Sequence, residues 1–216
     1  MTDTDMTDVP DISVEWYREI VDFADSTPQP VHWFASHFTE GAILLLGVLL
    51  VVAALTRVFG GDLRGRALAL AAPVSVLLAY GGSEGIKSLV AEDRPCRSPA
   101  DLVIVAGHCP PVGDWSFPSN HATIAGALAA AALLLHRRLG LVAVPLALLA
   151  AVSRTFVGVH YPHDVAAGLL LGALVGTLVT PLAARPRRSW RGCWGRTSRP
   201  PAGSARRRSP GRPGCG

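Results

Sequence analysis

The segment from Trp115 to Leu135, WSFPSNHATIAGALAAAALLL, changes character partway along its length. It begins with polar residues stiffened by proline, among them Ser119 and His121, and continues without a break into fourteen uncharged, mostly apolar residues. A long uncharged run of this kind predicts a helix that lies in a membrane or in a protein core. The sequence therefore places a serine and a histidine at the N-terminal end of a buried helix, where polar groups are costly and usually functional.

Four other uncharged segments accompany this one in a chain of 216 residues, of which 50% are hydrophobic and whose mean hydropathy is +0.34. The five segments are Gly41–Thr56, Ala67–Ser83, Ala122–Leu135, Leu139–Val152 and Val165–Ala184. A helical span needs about 17–25 residues, so the third and fourth are short unless they include the polar residues at their ends. A pair of buried helices in a soluble core is the alternative for these two. Five such segments in one chain favour an all-α, integral-membrane bundle of about five spans.

The two ends of the chain differ from this apolar middle, residues 41–184. Residues 1–40 are acidic, and apolar residues recur in them at helical spacing: Ile12, Trp16, Ile20 and Phe23. This pattern predicts an interfacial amphipathic helix or a soluble packing helix, and we expect no cleavable signal peptide because no basic start leads into an apolar run. Residues 185–216 hold ten of the 20 Lys and Arg and are rich in Pro, Gly and Ser, which predicts a disordered tail. Its basic residues fit a topology anchor or acidic lipid headgroups, and we expect no nucleic acid as a partner.

The basic residues in the loops between the apolar segments predict which end of the bundle faces the cytoplasm. Arg residues at 57–66 and 137–138 share one side with the basic tail if all five segments span the membrane. The positive-inside rule places that side in the cytoplasm of a multi-pass cell-membrane protein, and the long loop 91–121 outside. Cys96 and Cys109 both fall in the outer loop, where a disulfide can persist, and we expect them to be bonded to each other.

Ionisable residues at the span ends are functional candidates, because burying them is costly. They are Lys87, Arg94, His121, Arg154, His160 and Asp164. All six fall at the predicted outer face, so their cationic groups converge there with the Ser119 hydroxyl and describe an anion site, most simply for phosphate. His160 and Asp164 are four residues apart and share a helix face, which suits a carboxylate that fixes an imidazole tautomer. No carboxylate cluster suited to a metal accompanies them, and we expect no cofactor.

The same residues form three motifs in order along the chain. These are KSLVAEDRP at 87–95, PSNH at 118–121 and SRTFVGVHYPHD at 153–164. In these motifs the chain resembles the type 2 phosphatidic acid phosphatase superfamily of membrane lipid phosphatases. The resemblance implies that His160 is the nucleophile and forms a phosphohistidine, that Asp164 orients it and that His121 is the general acid. It also implies a set of phosphate-binding residues: Lys87, Arg94, Ser119, Asn120 through its backbone N–H, and Arg154.

One departure from the family pattern suggests a substrate. Asn120 stands where the family most often has glycine, and a non-glycine residue there resembles the bacterial undecaprenyl diphosphatase branch. The resemblance thus implies undecaprenyl diphosphate as the substrate and a role in cell-wall biogenesis. Phosphatidate or phosphatidylglycerol phosphate as the substrate, and a lipid phosphotransferase, remain alternatives. Vanadium haloperoxidases and soluble acid phosphatases share the constellation, but five spans argue against them. A membrane scaffold with a basic tail is the non-enzymatic alternative, and the oligomeric state stays open.

Overall fold

Six α-helices follow one another in the computed structural model, which describes residues 9–97 and 104–184. They are α1 (Asp11–Asp25), α2 (Gln29–Gly60), α3 (Leu63–Val90), α4 (Asn120–Leu135), α5 (Arg137–Phe156) and α6 (Pro162–Ala183). The described residues otherwise form loops and one 3₁₀ turn, Pro95–Arg97, so the prediction of an all-helical chain is confirmed. The basic tail predicted to be disordered lies outside the described residues.

Four helices are long and apolar enough to cross a membrane: α2, α3, α5 and α6, the last over Pro162–Leu182. Large side chains such as Leu44, Leu77 and Leu170 point outward from them, and Leu170 is 70% exposed. Small residues, mainly alanines, fill the interior instead. A bundle with large apolar groups outside and small ones inside is suited to a lipid environment, where close helix packing replaces the hydrophobic effect between helices.

The fifth apolar segment, α4, is shorter than the other four. Its 16 residues extend about 24 Å, which is less than the roughly 30 Å of a bilayer core. The helix is buried along most of its length, and it packs on α6, α5, α3 and α2. Its uncharged sequence therefore reflects a position at the centre of the bundle, and the structure offers four helices of spanning length where the sequence predicted about five.

Glycines allow α4 and α6 to approach through their backbones. A Cβ atom at Gly172 would collide with the carbonyl oxygen of Thr123, and one at Gly168 would collide with that of Ser119. This close approach joins the first turns of α4 and α6. Because the consecutive helices α2 to α6, with α4 among them, alternate in direction, the end of α3 and the end of α5 meet the same point. Four helix termini thus converge at one end of the bundle.

The N-terminal helix α1 covers this end from the side. It buries Ser13, Tyr17, Val21 and Ala24, and it leaves the apolar side chains of Ile12, Trp16 and Phe23 exposed on its other face. The Tyr17 hydroxyl donates to the Gly158 carbonyl at 2.9 Å. The next helix, α2, begins at Gln29 and continues to Gly60, so it runs through residue 40, where the sequence analysis placed the start of the membrane domain.

A disulfide joins Cys96 to Cys109, the pair expected from the sequence, with a Cα–Cα distance of 5.7 Å. Arg97 strengthens the same junction, because its guanidinium donates to the Pro110 carbonyl at 3.2 Å and pairs with Asp93 at 2.7 Å. These links attach the loop that follows residue 104 to the end of α3.

Replacing both bonded cysteines by serine is expected to lower the free energy of unfolding by roughly 3 kcal/mol, because the unfolded chain gains the entropy of an open loop. Thermal unfolding of the detergent-solubilised protein measures the effect. The matched control replaces Cys193 and Cys215 by serine and leaves the Cys96–Cys109 pair intact. Equal melting temperatures for the two double variants would contradict the expectation.

Candidate active site

The structure brings all eight residues predicted for the site to the converging helix ends. His160 and Asp164 lie before and in the first turn of α6, while Ser119, Asn120 and His121 form the start of α4. Lys87 lies in the last turn of α3, Arg94 in the loop after it and Arg154 in the last turn of α5. Gly158 has a φ of 86°, a left-handed conformation that suits glycine, and it turns the chain sharply between α5 and His160.

A buried carboxylate holds the His160 ring in one orientation. The His160 Nδ1–H donates to Asp164 Oδ2 at 3.2 Å, and the two side chains are 2% and 0% exposed. The same Asp164 oxygen accepts from the Tyr161 backbone N–H at 2.9 Å and from the Ser116 hydroxyl. With its proton on Nδ1, the ring leaves a lone pair on Nε2, and that atom accepts from Arg94 Nη1 at 3.0 Å. His160 thus presents Nε2 to the cationic side of the site.

His160 is neutral at ordinary pH. Burial lowers its pKa to about 4; hydrogen bonding to Asp164 opposes that shift, and the Arg94 and Arg154 charges add to it. A neutral imidazole with an accessible lone pair can act as a nucleophile, whereas the protonated ring cannot.

Acidification is expected to destabilise the protein through this residue. An unfolded His160 binds its proton near pH 6.5 and the folded one near pH 4, so between these values the unfolded chain binds more protons and the free energy of unfolding falls as pH falls. The loss reaches about 3 kcal/mol at pH 4. Melting temperatures from pH 7 down to pH 4.5 should fall less steeply in His160→Asn than in the wild type, and parallel curves would contradict this origin.

Two cations are held against the loop that precedes α4. Lys87 Nζ donates to the Trp115 carbonyl at 2.8 Å, and Arg94 Nε donates to the Asp114 carbonyl at 2.9 Å. Both side chains also pair with Asp114 Oδ1 at 3.0 Å. Burial alone would raise the pKa of Asp114, but the hydrogen bonds from Lys87 and Arg94 outweigh it and hold the pKa below its ordinary value. No motif in the sequence pointed to Asp114.

A second carboxylate, Glu40 of α2, lies between His121 and Arg154 and contacts both. Its Oε1 accepts from His121 Nε2 at 2.9 Å and from Arg154 Nη1 at 3.3 Å, and Arg154 also donates to the Thr39 hydroxyl at 3.2 Å. Glu40 ends the acidic segment 1–40 and was not among the residues predicted for the site. Its position directly before the uncharged run Gly41–Thr56 was the available signal, since ionisable groups at span ends are functional candidates.

Two hydrogen-bond donors in the site are buried without a partner among the described residues: the Ser119 hydroxyl and Arg154 Nε. Buried polar atoms are nearly always satisfied, so groups of this kind indicate where a ligand binds. Both belong to the set predicted for phosphate. The Asn120 side chain turns away toward α3, where it accepts from Ser83 at 2.7 Å and donates to Glu84 at 2.5 Å. The start of α4 lies among the site residues, and the N-terminus of a helix suits an anion.

Behind Asp164 lies a cluster of hydrogen-bonding groups. His163 Nε2 contacts Glu92 Oε2 and Asp164 Oδ1, each at 3.2 Å, and its Nδ1 accepts from the Ser13 hydroxyl at 2.7 Å. Burial raises the pKa of the Glu92 carboxyl. Glu92, His163 and Asp164 could each offer a metal one ligand atom, and these atoms lie within 4.8 Å of one another. Asp164 is already committed to His160, so we assign the cluster to positioning that carboxylate.

Comparison with known proteins identifies what this arrangement is similar to. Residues 68–188, which include all eight site residues, match the PAP2 superfamily. The chain is 37% identical over 158 residues to a decaprenylphosphoryl-5-phosphoribose phosphatase of Mycobacterium tuberculosis, with 71% of this chain and 80% of that one covered. It is 42% identical over 108 residues to the undecaprenyl-diphosphatase BcrC of Bacillus subtilis, covering 46% and 54%. The crystal structure of Aquifex aeolicus LpxE shares the fold, with a TM-score of 0.60 at 20% identity over 79% of this chain and 95% of that one.

Proposed function

This chain belongs to the PAP2 superfamily as a multi-pass membrane phosphatase of lipid phosphates, and we propose that it removes the terminal phosphate of a polyprenyl-linked lipid through a phosphohistidine at His160. The observation that carries the proposal is the neutral His160 ring, which Asp164 orients so that its Nε2 lone pair lies 3.0 Å from Arg94. That lone pair lies beside the guanidinium that would hold a phosphate.

In the first step Nε2 of His160 attacks the phosphorus atom, and the bond between phosphorus and the leaving oxygen breaks. Charge on the phosphoryl oxygens is stabilised by Lys87, Arg94 and Arg154, because donors already in place cost no reorganisation during the reaction. The Ser119 hydroxyl and the α4 N–H groups add hydrogen bonds. His121 gives its proton to the leaving oxygen, which departs as a neutral hydroxyl or a protonated phosphate.

In the second step water resolves the intermediate. His121, now deprotonated, removes a proton from a water molecule whose oxygen attacks the phosphorus atom. The N–P bond breaks, inorganic phosphate leaves, and His160 returns to its neutral form with both histidines as they began. Glu40 supports this cycle, since its carboxylate, 2.9 Å from His121 Nε2, stabilises the doubly protonated form of that ring that an acid requires.

Two polyprenyl lipids are candidate substrates. The Asn120 position suggests undecaprenyl diphosphate, and the chain is similar to BcrC over about half of that protein. A polyprenylphosphoryl sugar 5-phosphate is the second candidate, because the similarity to the phosphoribose phosphatase extends over 80% of that protein. In both substrates the terminal phosphate lies at the end of the headgroup that is farthest from the long lipid tail.

We place the site at the extracytoplasmic face and the basic tail in the cytoplasm. Supporting this orientation, the disulfide lies at the same end as the site, while Arg57, Arg64 and Arg137 lie at the opposite ends of their helices. Positive charge favours the cytoplasmic side, and disulfides persist outside.

Phosphate release by the purified, detergent-solubilised protein tests the function. The substrates are undecaprenyl diphosphate, decaprenylphosphoryl 5-phosphoribose, phosphatidate and phosphatidylglycerol phosphate, with EDTA present and His160→Asn as the control. We expect the wild-type protein to release phosphate from at least one polyprenyl lipid. His160→Asn should release none from the same lipid. Preference for a glycerolipid would overturn the polyprenyl assignment, and transfer to an added lipid alcohol without release would indicate a phosphotransferase.

A further inference from the structure

A cavity of about 300 Å³ opens beside the site, between α2, the loop after residue 104 and the end of α5. Its polar lining comes from Ser36, Thr39, Glu40, His108 and Arg154. Lys87, Arg94 and His160 do not line it, so of the predicted phosphate-binding residues only Arg154 is shared between this cavity and the place of the transferred phosphate. The Cys96–Cys109 disulfide and a backbone hydrogen bond of 3.1 Å from Ala106 to Val157 hold its loop wall in place.

Glu40 connects the cavity to His121, the residue proposed to protonate the leaving group. Phosphoryl transfer places the attacking and leaving atoms in line, so the leaving oxygen lies opposite His160 Nε2 and close to the acid His121. Glu40 contacts His121 at 2.9 Å and lines the cavity. The chemical unit attached to the leaving oxygen is therefore directed into this cavity.

The charged and polar side chains that line the cavity distinguish between two kinds of substrate group, a hydroxyl-bearing one and a second phosphate. The Glu40 side chain is 65% exposed, and its carboxylate can accept hydrogen bonds from hydroxyl groups. The Ser36 and Thr39 hydroxyls and His108 add further hydrogen-bonding groups. A second phosphate would instead bring its negative charge next to the Glu40 carboxylate, which weakens binding. Arg154 also lines the cavity, but it is assigned to the transferred phosphate, so we expect it to favour that phosphate over a second one.

We propose that this cavity binds the unit between the transferred phosphate and the lipid, and that Glu40 makes it selective for an uncharged, hydroxyl-bearing unit such as a sugar ring over a second phosphate. The inference rests on the proposed phosphatase reaction and selects between its two candidate substrates. Glu40 acts here as a specificity residue, supplied by a helix that lies outside the three motifs.

Binding of soluble fragments tests the cavity without turnover. Ribose 5-phosphate, inorganic pyrophosphate and inorganic phosphate are titrated against the detergent-solubilised His160→Asn protein by calorimetry. We expect ribose 5-phosphate to bind about tenfold more tightly than pyrophosphate. Adding Glu40→Gln removes the charge at nearly constant size and supplies an N–H donor, so the ratio of the two affinities should fall about tenfold, toward one. Inorganic phosphate is the reference for any change that Glu40→Gln makes at the transferred phosphate through its pair with Arg154.

Glu84→Gln in the same background is the matched control, because Glu84 contacts Asn120 and does not line the cavity. It should leave the ratio of the two affinities unchanged. Glu40→Asp retains the charge and serves as a second variant; it should keep the preference against pyrophosphate. Equal or tighter pyrophosphate binding in the parent protein, or a ratio that Glu40→Gln leaves unchanged, would overturn the proposal.

The two hypotheses fail in different ways. If no lipid is hydrolysed by the wild-type protein, the proposed function fails, whereas the fragment affinities still report on the cavity. If polyprenyl diphosphate is hydrolysed and pyrophosphate is the better fragment, the phosphatase function stands and the selectivity assigned to Glu40 is wrong.

Discussion

Replacing His160 by asparagine is expected to lower kcat for phosphate release by about 10⁵-fold or more, because removal of a nucleophile leaves only the stabilisation supplied by the binding groups. Asparagine is similar in size and polar, so it can still occupy the buried position beside Asp164. The measurement is phosphate release from the best lipid substrate at saturating concentration, with the melting temperature recorded to establish that the variant is folded.

His136→Asn is the matched control for this experiment. His136 caps the start of α5 at the opposite end of α4 from the site, and asparagine is also a good cap. We therefore expect close to wild-type turnover from it. A folded His160→Asn protein that keeps more than a small fraction of the wild-type rate would show that another group attacks the phosphorus atom.

The second large effect is expected from Asp164→Asn, with a loss in kcat on the order of 10³–10⁴-fold. Asp164 Oδ2 accepts from His160, Tyr161 and Ser116, and an amide cannot accept at both positions of its side chain. Even with its oxygen in the Oδ2 position, the neutral amide does not stabilise the positive charge that the His160 ring acquires as the N–P bond forms. The change leaves Lys87 and Arg94 in place, so KM should shift far less than kcat.

Ser116→Ala provides the comparison for Asp164. It removes one donor from the carboxylate and leaves its charge and its bond to His160, so the expected loss is about tenfold. A similar loss in both variants, or a rise in KM that accounts for the whole effect of Asp164→Asn, would indicate that Asp164 serves substrate binding or folding and does not fix the ring.

The motif residues were predictable from the sequence because they stand at the ends of apolar segments. Alternating helices bring such ends together, so Lys87, His121 and Arg154 had to meet if the segments packed as a bundle. The spacing of His160 and Asp164 predicted their contact but not its form, because His160 lies before α6 and meets the carboxylate of Asp164 in the first turn from outside the helix.

The two carboxylates that complete the site were harder to predict, since Glu40 stands before an apolar segment but in none of the three motifs, and Asp114 carries neither signal. Glu40 is 81 residues from His121 in the chain, and Asp114 is 27 residues from Lys87, so only the packed bundle brings them into contact. The count of about five spans differs from the four helices of spanning length because α4, although uncharged, has only 16 residues. An uncharged run indicates burial, but the sequence does not tell whether lipid or neighbouring helices surround it.

A covalent phosphohistidine at His160 is the central claim, and rapid quenching tests it most directly. The protein is mixed with a polyprenyl substrate that carries ³²P in its terminal phosphate, and the reaction is stopped in alkali within one turnover. We predict a label on the protein that is stable to alkali, lost in acid and absent from His160→Asn. A wild-type protein that releases phosphate without becoming labelled, or a label that persists in His160→Asn, would contradict the account.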